Sequence, residues 1–309
     1  MLRILALEKL ISTFGPGLRN FVNPVTGRIH AHYSISGSKA GRFTCSKPNL
    51  QQLPNRRAPE FRECIVAGPG RVLVCCDWSQ IELRAAAWIS RDPVLTQAFA
   101  DGLDLHRLAA SAITGLPYDA ITEDQRKAAK PVNFGWIYGI SARTLAENAF
   151  ADYDIEMPEV EAQRALDRYA RKYPVLNQWR IDNAAKCMWR GRIDIGCGRI
   201  LRAAWEIEQN GHLTFNQCCN IPIQGICADL LLRAMTSVHS RLARDGLDAA
   251  MVACAHDEIL VEAAEKDAEQ ARRILEECMI EAFTVTFPGA PQNGVAAAAI
   301  GPSWLEAKP

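Results

Sequence analysis

The chain has 309 residues, of which 49% are hydrophobic and 23% charged, and its formal net charge at pH 7 is zero. A chain of this length can bury a large core and suits one large domain or two closely associated ones. No uninterrupted apolar run approaches the ~18 residues of a transmembrane helix, so we expect no membrane span. The apolar stretch at residues 1–7 ends at Glu8, too soon for a secretory signal.

The eleven cysteines are scattered and show no C-x-x-C spacing. This pattern indicates neither a zinc ribbon nor a disulfide framework. Several cysteines lie in apolar runs, where a free thiol behaves as a small hydrophobic group. We therefore expect a reducing, cytoplasmic environment.

The neutral total hides two segregated charged segments. Residues 39–62 carry six cations against one acid, Glu60, whereas acids dominate residues 257–281. The cations are Lys39, Arg42, Lys47, Arg56, Arg57 and Arg62. A local basic track of this kind can bind phosphates even when the protein as a whole is neutral, so the net charge does not exclude a nucleic-acid partner.

Two apolar runs end in acidic residues. Residues 72–76 (VLVCC) predict a buried strand that ends at Asp77, and residues 249–255 and 259–262 predict a hairpin with Asp257 at its tip. Taken alone, Asp77 could equally cap a helix, and residues 256–258 could be an ordinary polar turn. If the strands are neighbours, the carboxylates of Asp77 and Asp257 meet at one sheet edge, where oxygen ligands suit Mg²⁺.

A third stretch carries cations and aromatic residues at helical spacing. Residues four apart share one helix face, and here that face carries Arg126, Lys130, Phe134 and Tyr138. Cations suit a polyphosphate and aromatic rings suit the flat face of a base. The alternative is a solvated basic edge beside two core aromatic residues. Residues 122–125 offer a capping-box start for this helix, and Pro131 is expected to kink or loosen it.

The order of elements predicts an α+β fold. Residues 91–215 are mainly helical and are expected to form an insertion, while the predicted strands on either side form an antiparallel sheet. A further long helical region covers residues 212–243, where Asn220 and Gln224 lie one turn apart.

These segments together resemble family A DNA polymerases. Residues 77–84 (DWSQIELR) are similar to motif A, residues 126–139 to motif B, and residues 256–258 (HDE) to motif C. Residues 41–52 resemble the primer-template binding loop, and residues 301–305 (GPSWL) resemble the C-terminus of the family. The resemblance implies an antiparallel palm sheet (residues 21–90 and 212–309), inserted helical fingers (91–211) and a thumb remnant (1–20).

The resemblance implies a DNA-directed DNA polymerase that adds deoxynucleotides to a primer 3′ end and releases pyrophosphate. Asp77 and Asp257 would bind two Mg²⁺ ions, or Mn²⁺, with the Cys76 carbonyl as a further ligand and Glu258 in support. The implied catalytic residues are Asp77, Lys130, Asp257 and Glu258.

The same resemblance implies the binding residues. Those for the deoxynucleoside triphosphate are Gln80, Glu82, His106, Arg126, Lys130, Phe134 and Tyr138. Among them, Arg126, Lys130 and His106 would hold the triphosphate, and Glu82 would select against a ribose. Those for primer-template DNA are Arg42, Asn49, Gln51, Tyr138, Asn220, Gln224 and His256.

The sequence also departs from the family pattern. Trp78 stands where tyrosine is usual, Asn216 where arginine is common, and Pro131 where threonine or alanine is frequent. Most of the thumb and the nuclease regions are absent from this sequence, so we expect weak DNA binding, low processivity and steep salt dependence. A split polymerase, a subunit that needs a thumb or processivity partner in trans, and a prophage remnant all fit, in a bacterial or phage-infected cell.

Two other functions remain open at this point. A thumb-less remnant could bind primer-template DNA without catalysis, although its acidic residues are intact. A single-subunit RNA polymerase shares the palm architecture, but Glu82 argues against ribonucleotides as substrates.

Overall fold

The computed structural model describes residues 12–35, 37–54, 58–153, 155–203 and 211–309, apart from the side chains of residues 134, 152 and 153. The longer helices are α1 (Ile81–Ser90), α2 (Pro93–Ala100), α3 (Leu105–Thr114), α4 (Glu123–Ile137), α5 (Ala142–Tyr153), α6 (Glu159–Lys172), α7 (Pro174–Arg190), α8 (Phe215–Arg244) and α9 (Ala268–Thr286). The strands are β1 (His32–Ser34), β2 (Thr44–Ser46), β3 (Arg71–Trp78), β4 (Arg192–Asp194), β5 (Ile200–Arg202), β6 (Ala249–Ala255), β7 (Glu258–Ala264) and β8 (Ala296–Gly301).

The chain divides into two compact units. The first comprises residues 1–79, 228–283 and 296–309, and the second comprises residues 80–227 and 284–295. These boundaries differ by some ten to sixteen residues from the predicted palm and fingers limits, and residues 284–295 join the second unit. Most of the predicted thumb remnant, residues 1–11, lies outside the described residues, while residues 12–14 are helical.

The first unit is built on a four-stranded antiparallel sheet in the order β6–β7–β3–β8. The central strands β3 and β7 pair from Arg71 opposite Ala264 to Asp77 opposite Glu258. Four consecutive β3 residues, 73–76, are buried, as expected of a strand covered on both faces. The predicted antiparallel sheet, with its β6–β7 hairpin, is confirmed.

The two faces of β3 pack against different partners. Leu73 and Cys75 belong to one hydrophobic cluster, together with Phe14, Leu50, Leu260 and Trp304 among others. On strand β3, the Trp78 indole donates a hydrogen bond to the Met279 carbonyl of α9, at 3.2 Å. Burial on both faces fixes the register, because a slip of one residue would exchange the two sets of side chains.

The second unit is mainly helical, as predicted. It contains α1 to α7, the first part of α8 and a small β4–β5 hairpin. The predicted capping box is present at the start of α4, where Thr122 Oγ1 accepts from the Gln125 amide and Gln125 Oε1 accepts from the Thr122 amide. This arrangement satisfies two of the amides that a helix start leaves free.

One prediction from the sequence needs correction. The sequence predicts short strands over residues 284–301, around Pro288 and Gly289, but α9 continues to Thr286 and only residues 296–301 form a strand there. In addition, α8 is long and apolar enough to cross a membrane, although 61% of its most apolar 18-residue window is buried inside the protein. A buried core helix passes the same test, so this is weak support for a membrane span.

Candidate active site

The first unit brings three acidic residues to one end of its sheet. Asp77 lies near the end of β3, directly opposite Glu258 at the start of β7, and Asp257 lies in the β6–β7 turn. The Trp78 amide donates to the Asp257 carbonyl at 3.3 Å, which ties the turn to β3. The predicted meeting of the two strands is therefore present.

Asp77 has an electrostatically unusual carboxylate. Burial raises its pKa, the Lys308 ammonium opposes that shift, and the neighbouring Glu258 adds to it. The Oδ1 atom of Asp77 is buried and has no hydrogen-bond partner among the described residues. A buried carboxylate oxygen without a partner suits a cation, because desolvation without compensation is costly.

Glu258 is almost completely buried, and its carboxylate is paired inside the unit. Its Oε1 atom lies 2.6 Å from Arg62 Nη1, with both side chains only 3% exposed, and its Oε2 atom lies 3.2 Å from Lys308 Nζ. The Cys75 thiol also donates toward Oε2 at 3.8 Å. These contacts support a positioning role for Glu258, since its oxygens already have partners.

Lys308 links two of the acids. Its Nζ atom lies 3.4 Å from Asp77 Oδ2 as well as 3.2 Å from Glu258 Oε2. Although burial opposes it, attraction by Glu258 and Asp77 raises the pKa of Lys308. No motif in the sequence contains Lys308, and the one signal for it is slight: it lies three residues beyond the GPSWL segment.

The position of Arg62 differs from the prediction that the cations of residues 39–62 form a phosphate-binding track. The residue is only 2% exposed, and its guanidinium lies 4.5 Å from the centre of the Trp304 ring as well as against Glu258. It is therefore a buried partner of the acidic site and not a surface phosphate contact. Arg56 and Arg57 lie outside the described residues.

Three of the predicted DNA-binding residues lie close together in the first unit. His256 has a left-handed backbone with φ of +57°. Its pKa is lowered mainly by burial and, to a smaller extent, by the nearby Arg42 guanidinium. The Gln51 backbone forms a hydrogen bond with His256. Asn49 has a local structural task, because its side chain accepts from the Gln51 amide and caps the 3₁₀ turn Leu50–Gln52.

In the second unit, Arg126 of α4 is held by an acid. Its guanidinium lies 2.6 Å from Asp104 Oδ2, and Glu123 Oε2 is 3.8 Å away. Asp104 also caps α3 by accepting from the His106 and Arg107 amides. Despite opposition from burial, these amides and Arg126 lower the pKa of Asp104. The positive charge of Arg126 is thus partly neutralised by these acids.

The other residues predicted to bind the nucleotide on α3 and α4 have distinct surroundings. His106 is buried, and its Nδ1 atom lies 2.9 Å from Asn133 Nδ2 on α4. Lys130 is half-buried within the same helix, and the Phe134 side chain lies outside the described part of the chain. Tyr138 ends the helix, and its carbonyl accepts from Asn220 Nδ2 at 3.3 Å.

The remaining predicted residues lie at helix starts and within α8. Gln80 immediately precedes α1 with a left-handed φ of +54°, and burial raises the pKa of Glu82 to about 7. Asn220 and Gln224 are both half-buried on α8, one turn apart as predicted. Gly139, with φ of +70°, lies where a Cβ atom would meet Asn216 Oδ1.

The acidic end of the sheet fits a divalent cation only if other ligands join it. Within the described residues, no group of three or more His, Cys, Asp or Glu side chains is arranged to hold a metal ion. The buried Asp77 Oδ1 atom and the adjacent Asp257 supply two carboxylates at most. This donor set suits Mg²⁺, which keeps waters and shares ligands with substrate phosphates.

The architecture is that of a polymerase domain. The structure is similar to the POL domain of Pol1 from M. smegmatis, solved in complex with DNA primer-template and dNTP. The TM-score is 0.83 and the sequence identity 28%, over 99% of this chain and 52% of that one.

The family model for DNA polymerase family A matches residues 1–306, and the chain belongs to that family. Among curated relatives, DNA polymerase I of Pseudomonas aeruginosa is 36% identical over 307 residues, covering 98% of this chain and 32% of that protein. The thermostable DNA polymerase I of Thermus aquaticus is 33% identical, covering 98% and 35%. The chain thus spans about a third of the length of the curated relatives it matches.

Proposed function

We propose that the chain is a DNA-directed DNA polymerase, which extends a primer 3′ end with deoxynucleotides copied from a template. The observation that carries the proposal is the register of Asp77 opposite Glu258, with Asp257 in the adjoining turn, in a chain that belongs to DNA polymerase family A. The reaction is attack of the primer hydroxyl on the α-phosphorus, with pyrophosphate as the leaving group.

Membership of the family implies the use of divalent metal ions. We propose that the carboxylates of Asp77 and Asp257 hold two Mg²⁺ ions, with the Cys76 carbonyl as a further ligand and Mn²⁺ as a substitute. Such ions supply charge neutralisation at the reacting phosphate and activation of the attacking oxygen. Glu258 keeps the start of β7 in register while its own carboxylate stays paired with Arg62 and Lys308.

Residues of the second unit are proposed to bind the incoming nucleotide. The cations Arg126 and Lys130, with His106, would hold the triphosphate, and Phe134 the sugar and base. Glu82 would restrict the space for a 2′-hydroxyl, and Gln80, just before α1, and Tyr138, at the end of α4, would complete this binding set. The α4 capping box and the Asp104–Arg126 pair support this proposal, because they fix the start of the helix and one of its cations.

For the nucleic acid, the proposed contacts are Arg42, Asn49, Gln51, Asn220, Gln224 and His256. Under this proposal the first unit acts as the palm and the second as the fingers, and the protein works in the cytoplasm. A thumb or processivity partner in trans belongs to the same proposal, as does a role in replication or repair. Base identity would then be read by pairing and not by contacts to base edges.

The proposal is tested by extension of a short primed DNA template at low salt with Mg²⁺ and four deoxynucleotides. We expect extension by the wild-type chain and none by Asp257→Ala. The Asp245→Ala variant is the matched control, because it removes an exposed acid paired only locally with Arg244. Equal extension by wild type and Asp257→Ala would overturn the site assignment.

Two further measurements separate the rival functions. Magnesium-independent binding of primer-template by a folded chain that extends nothing, even with a polymerase thumb segment added in trans, would favour a non-catalytic binding module. A clear preference for ribonucleotides in competition would favour an RNA polymerase and would remove the role given to Glu82.

A further inference from the structure

We propose that a surface of the second unit centred on Trp189 binds single-stranded DNA, with the indole ring as a base-stacking platform. The surface, called here the Trp189 surface, consists of the end of α7 and the β4–β5 hairpin. It contains none of the residues assigned above to metal, nucleotide or primer-template. The functional role inferred for this surface is contact with an unpaired template strand, and this role rests on the proposed function.

The first observation is the exposure of Trp189. Its side chain is 85% exposed at the penultimate position of α7, although Trp is usually among the most buried residues on average. A single exposed apolar residue needs no explanation. Here, however, Met188 beside it is 46% exposed, and Ile200 of the hairpin is 51% exposed. Exposed apolar side chains therefore occur both at the end of the helix and on the hairpin that packs against it.

The second observation is the charge around the ring. Residues 186–202 contain five cations and one acid, which gives a net charge of +4. The single acid is Asp194, and it is shared by three of the cations: Lys186 at 3.9 Å, Arg190 at 3.4 Å and Arg192 at 3.1 Å. One carboxylate cannot neutralise three cations, so the group of side chains around Asp194 keeps an excess positive charge that complements a polyanion.

The third observation is the register of the hairpin. Arg192 of β4 lies directly opposite Arg202 of β5, with both side chains exposed. Like charges directly opposite one another destabilise a strand pair. Two strands of three residues gain little from their own pairing, so this arrangement is unfavourable for the hairpin alone.

The inner side of the hairpin explains how the surface is held in place. Ile193 of β4 is fully buried and Leu201 of β5 is partly buried, in one cluster with Ala184 and Cys187 of α7. The Arg199 side chain also donates to the Gly225 carbonyl of α8 at 2.9 Å. Trp189 and the outward arginines are therefore carried on a rigid base.

Cations that follow a backbone and an aromatic ring that stacks on bases are the two parts of a single-strand binding surface. Charge selects the polyanion, and the exposed ring selects unpaired bases, because duplex bases do not offer their faces. The chemistry of the Trp189 surface therefore favours single-stranded DNA as the occupant over duplex DNA or an acidic protein.

The test measures binding of fluorescently labelled oligo(dT) of about 20 nucleotides to the full chain by anisotropy. We expect Trp189→Ala and Trp189→Leu to weaken binding on the order of 10-fold, and Trp189→Phe to retain most of it. Phe150→Ala is the matched control, because it removes another half-exposed aromatic ring of the same unit. Equal affinity of wild type and Trp189→Ala would overturn the proposal.

A second measurement tests the cations. The Arg192→Ala/Arg202→Ala variant should lower the slope of log affinity against log salt by about 1.4, since each single-strand phosphate contact contributes about 0.7. The control is Arg244→Ala/Arg272→Ala, which removes two arginines paired with local acids. An unchanged slope in the hairpin variant, or a fall of the same size in the control, would overturn the proposal.

Oligonucleotide binding requires no catalysis, so the two proposals fail separately. Trp189-dependent binding without primer extension would sustain the surface and refute the polymerase function. The reverse result is normal primer extension by the wild type together with a Trp189→Ala variant that binds a long 5′ overhang as tightly as wild type. It would sustain the polymerase function and refute the Trp189 surface. Circular dichroism melting of each variant verifies that the chain remains folded.

Discussion

The Nζ atom of Lys308 lies 3.4 Å from Asp77 Oδ2, so a protein cation already neutralises part of the acidic end of the sheet. Asp77 and Glu258 face one another in adjacent strands, and like charges directly opposite one another repel. The ammonium offsets that repulsion, and a divalent ion placed there would perform the same electrostatic task.

The first prediction concerns Lys308, whose ammonium performs the same electrostatic task as a divalent ion placed there. Lys308→Gln should lower the free energy of unfolding by about 1–2 kcal/mol in the presence of a chelator, because two carboxylates lose a partner. It should also bind Mn²⁺ more tightly than wild type, since no protein cation competes. Thermal melting and titration of Mn²⁺ by electron paramagnetic resonance measure the two effects. Lys308→Arg keeps the charge and serves as the control; equal Mn²⁺ affinity in wild type and Lys308→Gln would contradict the prediction.

The second prediction concerns the buried Arg62–Glu258 pair. Arg62→Met leaves a carboxylate buried with one fewer partner and should cost about 3 kcal/mol or more in urea unfolding. Adding Glu258→Gln to that variant should recover part of the loss, because the uncompensated charge is removed. If the double variant is no more stable than Arg62→Met, the coupling between the two groups is absent.

The third prediction follows from the pKa of Glu82, which burial raises to about 7. The folded state therefore holds the proton more tightly than the unfolded state, whose carboxyl has a pKa near 4.5. The stabilisation of the folded state by this bound proton is fully present below pH 4.5 and is lost as the pH rises through about 7. Relative to wild type, Glu82→Gln should gain stability over that window, by about 3 kcal/mol at most. Urea unfolding at pH 5 and pH 8 measures it; a pH-independent difference would contradict the assignment.

The fourth prediction compares two glycines with positive φ. Gly115 and Gly139 have φ of +81° and +70°, but a Cβ atom at Gly115 would meet nothing within 4 Å, whereas at Gly139 it would meet Asn216. Gly115→Ala should therefore cost about 1 kcal/mol from backbone strain alone, and Gly139→Ala should cost more. In a double-mutant cycle, Asn216→Ala should reduce the extra cost. Equal losses of unfolding free energy in the two glycine variants would show that the Asn216 side chain moves aside without cost, which would contradict the prediction.

Local patterns predicted the elements of the site well. The apolar runs before Asp77 and around residues 256–258 indicated strands β3, β6 and β7, and residues 122–125 indicated the start of α4. Each of these signals lies within one element, in its run length, its alternation or its cap. The meeting of β3 with β7 followed once the two acids were considered together.

The supporting residues were not predictable in this way. Arg62 and Glu258 are 196 positions apart, and Lys308 and Glu258 are 50 apart, so no local pattern joins them. Arg62 therefore counted as one more basic residue of a surface track, although it is buried. Residues 283–287 alternate like a strand, yet α9 continues to Thr286 while Phe283 and Phe287 are buried. There, tertiary packing prevailed over local β propensity.

The strand order β6–β7–β3–β8 also governs when the site forms as the chain is synthesised. Strand β3 is complete by residue 78, yet both of its hydrogen-bonding neighbours come from residues 258–301. The backbone N–H and C=O groups along both edges of β3 therefore stay unpaired by these strands while some 180 residues of intervening chain emerge from the ribosome. At a synthesis rate of about 5–20 residues per second, that interval lasts on the order of ten seconds or more, a period in which an unpaired strand is open to wrong partners or to chaperones.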